Sequence, residues 1–337
     1  MKCDIIIPVW NQLAFTKDCI NSIITNTTGD YRIIIIDNAS GDETKHYLEG
    51  LRASANPQIL VIRNEENVGF VKAVNQAIAA SSAPYVCLLN NDTLVTRGWL
   101  KIMLDIMNRQ KEIAIVNPAS NNLGQRPVNG EPIELYAQAL KKDADKFIEL
   151  GAAIGFCMLI KKEVIDRIGP FDEIYGMGNF EDTDFSRRAV KEGYRCVEAR
   201  GAYVYHRESS SFSKVKSFEN DFKRNKEIYE FRWGRPNRIA YILSRYDDNI
   251  LRRLSSESLK SARLGNWIWY ISKDPISTPS HANIHFVRVP DKWFFARAVF
   301  MVLKKKKKFS DIFVDNEKLA AVLNRLKFIH NANVNYY

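Results

Sequence analysis

The sequence of 337 residues predicts an α/β protein with a Rossmann-like, mostly parallel sheet and flanking helices. Two observations predict this class: short β-branched runs alternate with amphipathic helical patterns, and each run is apolar along nearly its whole length. Such strands are typical of parallel sheets that are buried on both faces. We expect a domain over residues 1–235 and a basic, mainly helical C-terminal extension over residues 236–337.

The first 95 residues alternate between strand and helix patterns. The strand-like runs are residues 4–10, 32–38, 59–64 and 85–91. Apolar stripes at helical spacing lie between them, at positions 19–24, 47–51 and 70–78. This alternation predicts a doubly wound sheet whose crossover connections are right-handed.

Beyond residue 95 the pattern is less regular, and residues 117–150 show no clear repeat. The elements predicted after them are a strand at 152–160, a helix at 162–168, a glycine-rich loop at 175–179, a helix at 181–193 and a short strand at 203–206. Four serines between Ser209 and Ser213 predict a mobile loop after that strand.

Composition limits the class of protein and its partners. The five cysteines show no CxxC spacing, so we expect buried free thiols in a reducing compartment. No run approaches the ~20 apolar residues that cross a bilayer, and we expect a cytoplasmic protein without a signal peptide. The last 98 residues carry 17 Lys/Arg against 8 Asp/Glu, which is nearly all of the net charge of +10. This asymmetry concerns partners rather than fold.

Polar residues follow each of the four early strands. They are Asn11, Asp37 and Asn38, Asn64, and the run Asn90, Asn91 and Asp92. Because ligands of doubly wound sheets bind beyond the carboxyl ends of the strands, these residues predict a site at that edge.

Several common motifs are missing from the sequence. There is no GxxxxGK[ST] phosphate loop, and no GxGxxG follows the first strand, which disfavours an NTPase or a dinucleotide site. Neither HExxH nor a paired Cys/His cluster indicates zinc.

Three groups of residues are candidates for chemistry. Asp92 could hold a divalent cation that clamps a diphosphate, or it could serve only in a turn or helix cap. Glu181 and Asp182 follow the glycine-rich loop at a helix start, where an acid can act as a general base or interact with the helix dipole. His206 ends a strand, and a lone histidine is more often structural. The other histidines, His46, His281, His285 and His330, are expected at the surface.

The order and spacing of these segments resemble glycosyltransferase family 2, the nucleotide-sugar-dependent enzymes with the GT-A fold, over roughly residues 1–235. The branch with the greatest similarity is the rhamnosyltransferase-like group of bacterial surface-polysaccharide enzymes. The matching segments are 7–11, 36–38, 64, 67–70 with 75, 90–92, 169–173, 180–184 with 188 and 193, and 204–206.

The resemblance implies roles for individual residues. Asp182 matches the catalytic base, with Glu181 beside it positioning the acceptor, while Asp92 and His206 match the protein ligands of Mn²⁺ or Mg²⁺. Asn90 stands where many members have Asp, which implies a weaker metal site. The nucleotide-sugar donor is expected to contact Pro8, Val9, Trp10, Asn11, Asp37, Asn67, Gly69, Lys72, Asn90, Asn91 and Asp92.

The function that follows is inverting transfer of a sugar from a UDP-, dTDP- or GDP-linked donor to a hydroxyl of a glycan or lipid-linked acceptor, in surface polysaccharide synthesis. Two other functions stay open. A sugar nucleotidyltransferase would carry a Gly-rich first turn with Arg and Lys, and residues 8–11 lack it. A catalytically silent nucleotide-sugar-binding module would have no need of Asp92, Asp182 and His206 in order.

Residues 293–308 combine an apolar segment, WFFARAVFMVL, with five lysines. This pattern is typical of peripheral association with an anionic membrane, here its inner face, and equally of a core helix that ends in solvated charges. A nucleic-acid partner suits the charge, but the sequence lacks an aromatic and basic binding module.

Overall fold

The computed structural model describes residues 2–54, 56–128, 130–207, 218–290 and 292–337. The predicted serine-rich loop at 209–213 lies outside these ranges. The chain forms two compact units, the first of residues 1–148 and 152–233, the second of residues 149–151 and 234–337.

Among the described residues, the first sheet has nine strands. They are β1 (Cys3–Val9), β2 (Tyr31–Asn38), β3 (Ile59–Asn64), β4 (Tyr85–Leu89), β5 (Thr93–Val95), β6 (Ile113–Ala119), β7 (Phe147–Leu150), β8 (Cys157–Lys161) and β9 (Arg195–His206). Their order is β3-β2-β1-β4-β8-β6-β9-β5, and β7 pairs with β9. Strands β1 to β4 pair in parallel, whereas β8 runs antiparallel to both β4 and β6.

Helices flank this sheet, which confirms the predicted α/β class. They are α1 (Leu13–Asn26), α2 (Asp42–Ala53), α3 (Phe70–Ala79), α4 (Trp99–Met107), α5 (Ile133–Leu140), α6 (Lys162–Ile168), α7 (Glu181–Lys191) and α8 (Phe218–Trp233). Ile5 and Ile33 of the strands pack in one core with Ile20 and Ile23 of α1. Ile24, assigned to the same stripe, is exposed, because it lies one position beyond the buried face.

Two element boundaries differ from the prediction. The strand predicted to begin at residue 152 begins at Cys157, because the buried Asn117 side chain bonds both the N–H and the C=O of Ile154 and holds the preceding segment as a loop. The strand predicted over 203–206 is the end of the 12-residue β9.

The parallel register aligns the polar strand ends. Val9 of β1 lies opposite Asp37, and Asn38 of β2 lies opposite Asn64. The register therefore places Asp37, Asn38 and Asn64 together at the carboxyl edge of the sheet.

The cysteines and two of the histidines are buried. All five cysteines are buried free thiols, as expected. The expectation of surface histidines was wrong for His281 and His330, which are 2% and 1% exposed. The His330 ring can be buried because both of its nitrogens bond to backbone, at Leu323 and Ala332.

Among the described residues, no helix is long and apolar enough to cross a membrane.

The second unit contains an all-parallel sheet of order β12-β11-β10-β13-β14 among its described residues, formed by β10 (Arg238–Leu243), β11 (Trp267–Ser272), β12 (Ile284–Arg288), β13 (Asp311–Val314) and β14 (Asn333–Tyr336). Its helices are α9 (Asp248–Arg263), α10 (Phe294–Lys304), α11 (Glu317–Arg325) and α12 (Lys327–His330). The extension was expected to be mainly helical, and the sheet was not predicted. The strand β11, with the sequence WIWYIS, shows no alternation of apolar and polar residues, so no half-buried strand was recognised there.

Candidate functional site

The pairing of β5 with β9 brings Asp92 and His206 together. Thr93 of β5 lies directly opposite His206 of β9, so Asp92, one residue before, lies beside the imidazole. His206 Nε2 is 2.9 Å from Asp92 Oδ1. The backbone N–H of Arg207 donates to the Asp92 carbonyl at 3.0 Å, which closes the pair. Asp92 is buried, at 8% exposure.

The second nitrogen of the His206 ring faces Asn122. The Asn122 Nδ2 lies within hydrogen-bond distance of His206 Nδ1, and the Asn122 Oδ1 is buried with no hydrogen-bond partner among the described residues. Asn121 bonds the backbone N–H and C=O of His206, at 2.8 and 2.7 Å. The ring also stacks on Phe156, with centroids 5.4 Å apart. These contacts hold the imidazole in one orientation.

Asp182 lies in the first turn of α7 and accepts hydrogen bonds from backbone. Its Oδ2 accepts from Gly155 N at 2.8 Å, and its Oδ1 accepts from Thr183 N at 2.6 Å. A Cβ at position 155 would lie 3.4 Å from Asp182 Oδ2, so a glycine allows this close approach.

The glycine-rich loop before α7 is held by a side chain from α8. The buried Asn225 amide donates to the carbonyls of Tyr175 and Gly178, at 2.8 and 2.7 Å. Asn179 and Phe180 both have positive φ, at 72° and 73°, which turns the chain into the helix. The loop is thus packed against α8 and ordered.

Burial changes the acid strength of the two adjacent carboxyls. Glu181 is 7% exposed, and its Oε2 has no hydrogen-bond partner among the described residues. Burial, and then the neighbouring Asp182, raise the pKa of Glu181. Burial also raises the pKa of Asp182, although hydrogen bonds from Gly155 and Thr183 oppose the shift. A raised pKa is the property that a carboxyl general base requires near neutral pH.

Asp184, the third acid of this segment, has a structural role. Its fully buried carboxylate accepts from Arg188, Arg232 and Trp233, at 2.9, 2.8 and 2.8 Å. It therefore ties α7 to α8 rather than facing the cavity.

A cavity of about 290 Å³ joins the two halves of the site. Its polar lining includes Asn90, Glu181, Asp182 and His206, and its apolar lining includes Phe70, Phe156, Met177, Phe180 and Phe222. A second cavity of about 510 Å³ is also lined by His206, together with Arg126, Tyr205 and Arg207. The structure thus brings the candidate base Asp182 and His206 to one cavity, and Asp92 lies beside the imidazole.

The predicted donor residues occupy several places. Asn90 lines the cavity, but Asn91 turns away and donates to Thr16 Oγ1 at 3.0 Å. The Asp37 carboxylate is engaged by Arg63 and by Ser40 N. Pro8 is half-buried, Val9 is buried, and Trp10, Asn11 and Lys72 are exposed.

Asn67 and Gly69 are tied to neighbouring backbone and side chains. The Asn67 Oδ1 accepts from Asn38 at 2.7 Å and from Gly69 N at 3.0 Å. Gly69 has a φ of 88°, and a Cβ there would lie 3.1 Å from the carbonyl oxygen of Gly176. Asn67 is therefore tied to the carboxyl end of β2, and Gly69 lies against the glycine-rich loop.

Four site residues escaped the sequence analysis: Asn122, Gly155, Phe156 and Asn225. A signal existed for Asn122, because the polar run Ser120 to Asn122 follows the carboxyl end of β6 as other polar runs follow β1 to β4. No local pattern marks Asn225, which acts on a loop almost 50 residues earlier in the chain.

Comparison with known proteins agrees with this architecture. The sequence profile described as Glycosyl transferase family 2 matches residues 4–169. The uncharacterized protein y4gI of Sinorhizobium fredii is 25% identical over 249 residues, which are 68% of this chain and 27% of that protein. The chain spans about a third or less of the length of such curated relatives.

Solved structures share the fold. S. aureus TarS 1-349 in complex with UDP-GlcNAc superposes with a TM-score of 0.52 at 18% identity, over 68% of this chain and 66% of that one. GalNAc-T7 with UDP, GalNAc and Mn²⁺ superposes with a TM-score of 0.55 at 15% identity, over 77% of this chain and 51% of that one. Residues 4–169 of this chain thus match the profile of glycosyl transferase family 2, and they lie on a GT-A fold.

Proposed function

We propose that this chain transfers a sugar from a nucleoside-diphosphate sugar to a hydroxyl of a glycan or lipid-linked acceptor, with inversion and with the assistance of Mn²⁺ or Mg²⁺. The observation that carries the proposal is the single cavity lined by both Asp182 and His206, with Asp92 behind the imidazole. The family match, the UDP-GlcNAc complex of TarS and the complex of GalNAc-T7 with UDP, GalNAc and Mn²⁺ support it. Surface polysaccharide synthesis is the proposed setting.

Asp92 and His206 fit a divalent cation. Mg²⁺ binds its ligand atoms at about 2.1 Å in octahedral geometry, so two ligand atoms in neighbouring positions lie about 3 Å from each other. The distance between Asp92 Oδ1 and His206 Nε2 is 2.9 Å, which fits such a pair. Among the described residues no cluster of three or more His, Cys, Asp and Glu could complete a site. The remaining ligands would come from the donor diphosphate and water. When bound, the cation would neutralise charge that develops on the leaving diphosphate.

Asn122 supports this metal site by fixing which nitrogen of the His206 ring carries the proton. A half-turn of its amide would let the now unpartnered Oδ1 accept from Nδ1–H of the imidazole. The lone pair of Nε2 would then face the Asp92 carboxylate, an arrangement that a cation stabilises. Metal-ligating histidines usually have such a partner on the other nitrogen.

Asp182 is the proposed general base. The acceptor hydroxyl attacks the anomeric carbon, its proton passes to the Asp182 carboxylate, and the bond to the nucleoside diphosphate breaks on the opposite face of the sugar. The Gly155 and Thr183 N–H groups hold the carboxylate in place. Glu181, with its raised pKa and unpartnered Oε2, would position the acceptor. The Phe180 and Phe222 rings supply an apolar wall.

The second unit has a proposed membrane-facing helix. In α10, Phe294, Ala298 and Val302 are buried, whereas Phe295 and Phe300 are exposed, as is Trp293 directly before the helix. Residues 293–308 include Arg297 and the adjoining lysines and contain no acidic residue. An exposed aromatic face beside a basic run suits an anionic lipid surface and therefore a lipid-linked acceptor.

The test is turnover of a panel of UDP-, dTDP- and GDP-sugars with Mn²⁺, by wild type and by Asp182→Asn. We expect wild type to release nucleoside diphosphate from one class of donor, and the variant to lose about 10²- to 10⁴-fold in rate while binding the donor equally well. Asp166→Asn, an exposed carboxylate, is the matched control. Release of pyrophosphate from a nucleotide and a sugar phosphate would favour a nucleotidyltransferase, and binding without turnover would favour a silent module.

A further inference from the structure

Cations and aromatic rings meet at the amino edge of the second sheet. Arg238 begins β10 and lies opposite Trp267, which begins β11, while Trp269 lies opposite His285 of β12. Because side chains alternate along a strand, these four side chains share one face of the sheet. Lys305, directly after α10, reaches the same face. We call these five residues the tryptophan–cation cluster.

Trp269 is the centre of this cluster. The Arg238 Cζ lies 4.4 Å from the centroid of its ring, and the Lys305 Nζ lies 4.0 Å from it. The His285 ring is 4.9 Å from Trp269 and stacks on Trp267, with planes 10° apart and centroids 5.7 Å apart. Trp269 is buried, whereas Trp267 is 37% exposed, so the cluster opens to solvent on one side.

The cations of the cluster have no carboxylate partner among the described residues. The side chains of Arg238 and Lys305 take part in no ion pair and no hydrogen bond in those ranges, and the Arg238 Nε is buried without an acceptor. Burial, and then the charges of Lys305 and Arg238, lower the pKa of His285, while burial and Arg238 lower that of Lys305. Indole rings attract cations, but they leave the N–H donors without acceptors.

We propose that the tryptophan–cation cluster binds a phosphate group through Arg238 and Lys305. A guanidinium matches the oxygens of phosphate, and a nearby ammonium adds a point charge. The bound phosphate group would accept from the terminal N–H groups of the Arg238 guanidinium and neutralise the mutual repulsion of the cations. Lysines 304 and 306–308, next in the chain, raise the local concentration of such anions. The inference is independent of the proposed transferase activity.

The phosphate could be dissolved or could belong to a lipid headgroup, and one readout covers both sources. His285 reports on the field of the two cations, so its pKa, measured by NMR on the ring Cε1–H, should rise when the site fills. Inorganic pyrophosphate is titrated against chloride at equal ionic strength. In parallel, co-sedimentation compares phosphatidylglycerol with phosphatidylcholine vesicles.

We expect pyrophosphate to raise the pKa of His285 in wild type and Arg238→Gln to weaken the apparent affinity about tenfold, the effect of losing one charged hydrogen bond. Lys305→Gln should act in the same direction. Arg288→Gln removes the same charge at the opposite end of β12 and should leave the affinity unchanged. An unchanged His330 resonance verifies folding, because that ring is buried in the same unit.

Each outcome bears on the proposal. Binding of pyrophosphate that depends on Arg238 supports the site with a dissolved anion as its source. Binding to phosphatidylglycerol alone, again lost in Arg238→Gln, supports it with a headgroup as the source. If neither ligand binds, or if Arg238→Gln and Arg288→Gln behave alike, the proposal is wrong and the cluster serves only to pack the sheet.

Discussion

His206 Nε2 lies 2.9 Å from Asp92 Oδ1, although 114 positions separate the two residues in sequence. Pairing of β5 with β9 sets this distance through the register of Thr93 against His206. The His206 side chain lines the cavity that also contains Asp182. The strand register therefore assembles the site, and the predictions below concern the groups around it.

Asn122→Leu should weaken Mn²⁺ binding about 10- to 100-fold, the usual effect of removing the hydrogen-bond partner of a ligating histidine. Leucine cannot accept from the His206 Nδ1–H, so the tautomer that frees Nε2 loses its support. Titration calorimetry with Mn²⁺ measures the effect. Asn122→Asp, which keeps an acceptor, should restore affinity, and the exposed Asn21→Leu is the control. Equal affinity in Asn122→Leu and wild type would contradict the role of Asn122.

Glu181 should make the folded protein less stable at higher pH. Its pKa rises from 4.5 to about 8 on folding, so the native state holds a proton that the unfolded chain releases. The associated stability is fully present below the unfolded value and is lost as pH rises through the folded one. Urea unfolding at about pH 5 and about pH 9 should differ by at least about 1.4 kcal/mol, the equivalent of one pKa unit.

The glutamine side chain of the Glu181→Gln variant cannot titrate, so the free energy of unfolding of this variant should change less between those two pH values than that of wild type. The change that remains is assigned to Asp182, whose pKa is also raised by burial. A slope in Glu181→Gln equal to that of wild type would assign the effect to other groups.

Asp184→Asn should destabilise the first unit by about 2–4 kcal/mol. Removing one partner of a buried pair typically costs 3–5 kcal/mol, and partial exposure of Arg188 and Arg232 reduces this. The measurement is the free energy of unfolding in urea. Asp166→Asn, whose ion pair with Lys162 is exposed, should change it by less than about 0.5 kcal/mol. Similar values for both variants would show that the Asp184 network contributes little.

Replacing Lys304, Lys306, Lys307 and Lys308 by Gln should release the chain from phosphatidylglycerol vesicles. Each basic residue near an anionic surface contributes about 1 kcal/mol, and Lys305 is left in place so that the tryptophan–cation cluster stays intact. Vesicle co-sedimentation is the measurement. Trp293→Ser should weaken binding independently of salt, because its contribution is apolar. Unchanged sedimentation of the four-lysine variant would exclude membrane docking by this segment.

Much of the first unit was predictable because its information is local. Runs such as 32–38 and 59–64 are apolar enough to identify buried parallel strands, and the polar residues after them indicate the carboxyl edge. The second sheet was missed for the converse reason. In β11 two tryptophans alternate with apolar residues that are buried against α9. Neither face of the strand is therefore polar, and the sequence shows no alternation of polar and apolar residues there.

Tertiary contacts decided which polar residues share the cavity. The sequence has acids at 181, 182 and 184, and only the arginines of α7 and α8 distinguish the structural Asp184 from the other two. Likewise, Asn91 and Asn90 are adjacent in sequence, yet one turns to Thr16 and the other lines the cavity. Side-chain direction and long-range hydrogen bonds depend on elements far apart in the chain. Local patterns therefore determined the edge of the sheet at which the candidate site lies, and packing determined the residues that form it.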